Sequence, residues 1–130
     1  MEPVTILLAD DEALLLLEFE DALVEAGFKV IAVTSGRKAL EFLNAADSCI
    51  QGVVTDIQFL EPPDGWEVAR VARQIAPDMP IVYISGHGAL DWASKGVPNS
   101  LMIEKPFAMA QLVTAMAQLL NAKQAGATAP

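Results

Sequence analysis

Thr5-Ile6-Leu7-Leu8-Ala9-Asp10-Asp11-Glu12 is a short apolar run that breaks into three consecutive acids. Such a run with a polar stop reads as a buried strand. The segment behind it has helical period from about Glu12 to Ala26, closed by Gly27 at the C′ position. The same sentence is repeated along the chain. Gly52-Val53-Val54-Thr55 ends on Asp56, Ile81-Val82-Tyr83-Ile84 on Ser85, and Leu101-Met102-Ile103-Glu104 on Lys105.

Val- and Ile-rich runs alternating with helical stretches mark βαβ units. Lys29 to Val33 completes a set of five strands. Ser35 can cap a second helix running to about Asn44, a third spans Gly65 to Ala76 before Pro77, a short one covers Ala89 to Lys95, and the last runs from Ala108 to Asn121. Its apolar face carries Leu112, Met116, Leu119 and Leu120. Strict alternation with right-handed crossovers predicts an α/β doubly wound parallel sheet. The strands are apolar throughout instead of alternating, so helices should cover both faces. Residues 1–121 are read as one domain, and the aperiodic segment 122–130 as a disordered end.

Composition narrows the functional classes. The 130 residues suit a single domain, and 53% hydrophobic residues supply a core. A net charge of −9 repels nucleic acid, and no basic stripe overrides it. No apolar stretch reaches the length of a membrane span, and Met1-Glu2-Pro3 lacks the basic start of a signal peptide. The single cysteine, Cys49, excludes an intramolecular disulfide. These features predict a cytoplasmic protein that contacts neither membrane nor nucleic acid.

In parallel strands the polar stops share one edge, where open α/β sheets bind ligands. Asp10, Asp11 and Asp56 would repel one another there unless a hard cation joined them. Mg²⁺ takes carboxylate and phosphate oxygens together, with Mn²⁺ an expected substitute. Asp56 is either a third metal ligand or a nucleophile toward phosphorus. Ser85 offers a hydroxyl and Lys105 a compact cation, Gly86 leaves room for a phosphoryl group, and Pro106 restrains the lysine. Three aspartates against Mg²⁺ and Lys105 balance in charge.

Leu7-Leu8-Ala9-Asp10-Asp11-Glu12, Val53-Val54-Thr55-Asp56, Ile84-Ser85-Gly86 and Lys105-Pro106-Phe107 together resemble the receiver domain of two-component response regulators, over roughly residues 4 to 121. The resemblance implies a flavodoxin-like (βα)5 fold of strand order 2-1-3-4-5. It implies a stand-alone switch in which Asp56 accepts a phosphoryl group from a histidine kinase or phosphotransfer protein. Asp11 would ligate Mg²⁺ directly, Asp10 largely through water, Asp56 by a carboxylate oxygen and Gln58 by its backbone carbonyl. Ser85 would be the switch hydroxyl and Lys105 the phosphate-binding cation. Side chains at Gln58 and His87 would tune phosphoryl lifetime, and Met102 stands where many receivers carry a switching aromatic. The loop Phe59-Leu60-Glu61-Pro62-Pro63-Asp64-Gly65 holds one residue more than is usual and lacks a Met-Pro, so an altered path is expected beside the site.

On the first helix, Glu18, Asp21 and Glu25 mark the solvent side, which Leu14 shares with Leu17 at its margin. Leu15, Phe19, Ala22 and Ala26 are the expected core stripe. Leu14 and Glu18 are candidates for docking the phosphoryl donor. An unknown downstream protein, or a second copy of the chain, is expected on the face made by helix 4, strand 5 and helix 5, with Trp92 there either packing or presented for contact. Two other readings stay open. One is a receiver-like interaction module that works without phosphorylation. The other is a haloacid-dehalogenase-type phosphatase, in which Asp10 would stand two residues before an acid, Glu12, though no late acidic pair and no cap segment accompany it.

Overall fold

Each apolar run becomes a strand whose side chains leave alternately toward two helical layers. The computed structural model describes residues 2–86 and 89–128. The elements alternate as β1 (Thr5–Ala9), α1 (Ala13–Glu25), β2 (Lys29–Val33), α2 (Gly36–Asn44), β3 (Gly52–Asp56), α3 (Gly65–Ile75), β4 (Ile81–Ser85), α4 (Ala89–Lys95), β5 (Leu101–Glu104) and α5 (Met109–Thr128). All strand pairs are parallel. They form one sheet of order β2-β1-β3-β4-β5. The three central strands are buried along their whole length, while β2 and β5, at the edges, are partly exposed.

The two cores explain why the central strands read as continuously apolar. Leu7, Ala9, Val53, Ile81 and Tyr83 pack with Ala39 and Leu43 of α2 and with Trp66, Val68, Ala69 and Ala72 of α3. Their neighbours Ile6, Leu8, Val54, Val82 and Ile84 face the other way, onto Leu16, Phe19 and Leu23 of α1 and Leu112 and Met116 of α5. Fully burying such side chains contributes about 1.5–3 kcal/mol each. Among the described residues, no helix is long and apolar enough to cross a membrane.

Helix ends follow local chemistry. Gly27 has φ of +101°. Its N–H donates to the carbonyl of Val24, and that of Phe28 to Leu23, the paired bonds of a Schellman stop. The Ser35 hydroxyl accepts from Lys38 N at 3.1 Å and the Asp64 carboxylate from Glu67 N at 3.0 Å, so both are N-caps.

Two expectations are corrected. The buried stripe of α1 is Leu16, Phe19 and Leu23; Leu15 and Ala22 flank it half-buried, and Ala26 is the exposed C-cap. The helix packs on Leu112 and Met116 of α5 as well as on the sheet, and Phe19 stacks at 5.3 Å on Phe107, just ahead of α5; these contacts turn Leu16 and Leu23 inward. The last helix runs on to Thr128 instead of ending at Asn121. The residues Ala122-Lys123-Gln124-Ala125 are strong helix formers and sustain it.

Gly65 brings α3 against the end of β3. A Cβ there would meet the Asp56 carbonyl oxygen and lie 2.8 Å from Ile57 Cα. Gly65→Ala should therefore destabilise the fold by about 1–3 kcal/mol, as for other overpacked sites, visible as a lower urea midpoint at unchanged m-value.

Candidate functional site

Parallel register brings the polar stops together. Ala9 lies beside Thr55, Asp56 beside Ile84, and Ser85 beside Glu104. Lys105 follows β5, and its N–H donates to the Ser85 carbonyl at 2.7 Å. The result is a cleft of about 200 Å³ lined by Asp11, Glu12, Asp56, Gln58, Ser85, Gly86 and Lys105. Asp10 lies wholly buried beneath it.

Lys105 Nζ is the hub. It donates to Glu12 Oε1 at 3.0 Å and to Asp56 Oδ2 at 3.2 Å, and it stands 3.3 Å from Asp10 Oδ2. Burial by itself would lower the lysine pKa. The hydrogen bond to Glu12 and the charges of Asp56 and Asp10 outweigh it, and the ammonium is held above its ordinary range. Asp56 Oδ1 accepts from Ile57 N at 2.8 Å. Burial raises the Asp56 pKa, opposed by the nearby Lys105.

Asp10 is the most deeply buried of the clustered carboxylates. Its Oδ1 accepts from Glu12 N at 2.8 Å. Its buried Oδ2 receives no well-aligned hydrogen bond. Burial pushes the carboxyl up to about 6, the Asp56 charge adds to the shift, and the Glu12 N–H and Lys105 oppose it. One oxygen from each of Asp10, Asp11 and Asp56 lies within 4.8 Å of the others. Three carboxylates, one of them the wholly buried Asp10 whose Oδ2 takes no aligned hydrogen bond, suit a small divalent cation. The residues present fit a metal ion.

The expected residues are mostly brought together: Asp10, Asp11, Asp56, Gln58, Ser85, Gly86 and Lys105 meet at one place. Pro106 follows through a cis peptide bond. His87 lies outside the described residues. Met102 is not at the cleft; it is partly buried against the core, in register with the fully buried Tyr83, whose ring lies 4.7 Å from that of Trp66. Trp92 packs on the same core, and its Nε1 donates to Ser100 Oγ at 3.0 Å. Leu14, with 79% of its surface exposed, and Glu18 lie on the outer side of α1.

Sequence reasoning missed two participants. Glu12 closes over Lys105, so the cleft gathers four carboxylates, not three, and the expected balance with a dication fails by one negative charge. The acidic triplet was a visible signal, but its third member reads equally well as the first residue of a helix. The second is a backbone group: Leu60 N donates to Asp11 Oδ2 at 3.2 Å. The lengthened loop thus folds back onto a prospective metal ligand.

A larger cavity, about 700 Å³, opens at the other end of the strands beside Arg73, Asp78, Ser100 and Lys123. Its charges are already matched. Arg73 donates to the carbonyls of Met79 and Pro98, and Lys123 pairs with Asp78 at 3.8 Å. The reactive set lies at the smaller cleft.

A family model for the response regulator receiver domain matches residues 6–117, most of the sheet and its helices. The chain belongs to this family. A solved response regulator receiver protein from Sinorhizobium medicae WSM419 is 68% identical, with 93% of this chain and 97% of that one covered and a TM-score of 0.91. The response regulator receiver protein CpdR of Brucella abortus (strain 2308) is 34% identical over 119 residues, 90% of this chain and 97% of that protein. Sensor kinase CckA of the same organism is 30% identical over 120 residues, but this chain spans only 12% of its length. The receiver described here thus has the fold and acidic pocket of a two-component signalling domain.

Proposed function

We propose that this receiver is a phosphorylation-controlled switch with Asp56 as phosphoacceptor. The observation that carries the reading is Lys105 Nζ at 3.2 Å from Asp56 Oδ2, at the mouth of a cleft with three clustered aspartates. The donor is a phosphohistidine on a histidine kinase or phosphotransfer protein. An Asp56 oxygen bonds to phosphorus while the P–N bond breaks, its electron pair leaving with the imidazole. With the other ring nitrogen protonated, neutral imidazole is released.

Asp10, Asp11 and Asp56, with the Gln58 carbonyl as a further ligand, would hold Mg²⁺ or Mn²⁺. When bound, the ion neutralises carboxylate charge and polarises phosphoryl oxygens. Lys105 holds a phosphoryl oxygen, and Ser85, buried at the end of β4, supplies a hydroxyl to another. Two hydrogen bonds to a charged group contribute roughly 3–6 kcal/mol together. Turning a 1:99 equilibrium into 99:1 needs about 5.5 kcal/mol. A downstream partner preferring the phosphorylated form completes the switch through the α4-β5-α5 face, and exposed Leu14 and Glu18 receive the donor. Incubation with Mg²⁺ and a small acyl phosphate or phosphoramidate should add one phosphoryl group by intact mass, and chelating the metal should prevent it. An unmodified chain after prolonged incubation with both reagents would refute the assignment.

A further inference from the structure

We infer that Glu12 is a positioning residue that competes with the phosphoryl group for Lys105 and so restrains loading of the site. The inference rests on the function proposed above. An ammonium has three donors, and Lys105 faces three carboxylates: Glu12 at 3.0 Å, Asp56 at 3.2 Å and Asp10 at 3.3 Å. Two of those donors hydrogen-bond Glu12 and Asp56, and Asp10 shares the charge without an aligned hydrogen bond, so a phosphoryl oxygen on Asp56 competes with all three for the ammonium.

The three differ in what release would cost. Asp10 is wholly buried and pairs with Lys105 at 3.3 Å; in the metal-free site, losing Lys105 would strand its charge out of water. Asp56 is the acceptor itself and stays beside the lysine after modification. Glu12 has 59% of its side chain exposed and returns to water on leaving. It is therefore the exchangeable partner, although it makes the shortest of the three contacts.

Charge points the same way. With Asp10, Asp11, Glu12 and Asp56 at one site and Lys105 as their ammonium, a bound dication still leaves a negative charge unmatched. Phosphorylation makes the cleft more negative again, and the incoming donor is itself an anion. Glu12, at the rim, repels that donor while it occupies the lysine. A neutral side chain removes both effects and leaves the three aspartates in place. The Glu12 side chain is 59% exposed, so the substitution takes little out of the interior.

The test is the initial rate of phosphoryl incorporation from a small acyl phosphate with Mg²⁺, for the native chain, Glu12→Gln and Glu12→Ala, at low and at about 1 M salt. Both variants should load about two- to fivefold faster than native at low salt, the range of an exposed ion pair. The advantage should shrink at high salt, where the Debye length is about 3 Å. A purely structural contact would not give a salt-dependent difference shared by two unlike neutral side chains. Equal rates for native and variants, or a difference indifferent to salt, would overturn the role of Glu12 while leaving Asp56 as acceptor. A native chain that takes no phosphoryl group would instead overturn the proposed function itself.

Discussion

Asp56→Asn should take up no phosphoryl group under conditions that label the native receiver, a drop of at least about a thousandfold. The amide has the shape of the carboxylate and keeps an oxygen to accept from Ile57 N, which lies 2.8 Å from Asp56 Oδ1. Folding should survive, and a melt of the variant would verify it. Nucleophilicity does not survive, because an amide oxygen is a poor attacking group toward phosphorus. The variant also removes one of the charges that push Asp10 upward, so its metal-free form should melt no lower than native. Incorporation is read by intact mass after incubation with Mg²⁺ and the small donor. Undiminished labelling of Asp56→Asn would move the acceptor elsewhere, with Asp10 then the next residue to substitute. Loss of signalling in the host by the same variant would separate the switch from a module that works unphosphorylated.

Lys105→Met should be the most destabilising single change at the site in the absence of metal. The substitution keeps the length of the stem but deletes the one cation that, among the described residues, faces Asp10, Asp56 and Glu12. Removing one partner of a buried ion pair costs about 3–5 kcal/mol, enough to lower the urea midpoint plainly. The pH dependence has a fixed sign. Burial already raises the Asp10 pKa to about 6 in the fold, against about 3.9 in an unfolded chain. A group shifted upward binds more protons folded than unfolded across that interval. Its contribution to stability is therefore fully present below about pH 4 and is lost as pH rises through about 6. Without Lys105, which opposes the upward shift of both Asp10 and Asp56, those two carboxyls titrate still higher, so the variant's deficit should widen between pH 5 and pH 8. Millimolar Mg²⁺ should narrow it at pH 8 by restoring positive charge among the carboxylates. A deficit that is flat with pH and indifferent to Mg²⁺ would show that Lys105 does not neutralise them.

The strand ends were legible because each is a local event. Asp10, Asp56, Ser85 and Lys105 each stand at the end of a short, mainly apolar run, and a parallel sheet allows such ends only one common edge. The αL stop at Gly27 and the cap at Ser35 were equally local, set by residues within one turn of the helix end. The loop after β3 shows where that legibility stops. Its extra residue could be counted, but its destination, with the Leu60 N–H on the Asp11 carboxylate, depends on a distance between two separate segments. Tyr83 is a similar case. The aromatic bulk absent at Met102 lies on the adjacent strand, paired with it in register, and only the register relates the two.

By itself the sequence determined the order of elements, the doubly wound parallel architecture, and the meeting of Asp10, Asp11, Asp56, Ser85 and Lys105. Periodicity and strand-end chemistry suffice for these, since each strand carries its own functional terminus. Tertiary structure alone decided the roll of α1 onto Leu16 and Leu23 and the closure of Glu12 on Lys105. These rest on helix packing and on side-chain reach between residues 93 positions apart, and neither leaves a trace in local pattern. Electrostatics falls on the same side of that line, because the load on Asp10 comes from burial and three-dimensional neighbours, not from its place in the chain.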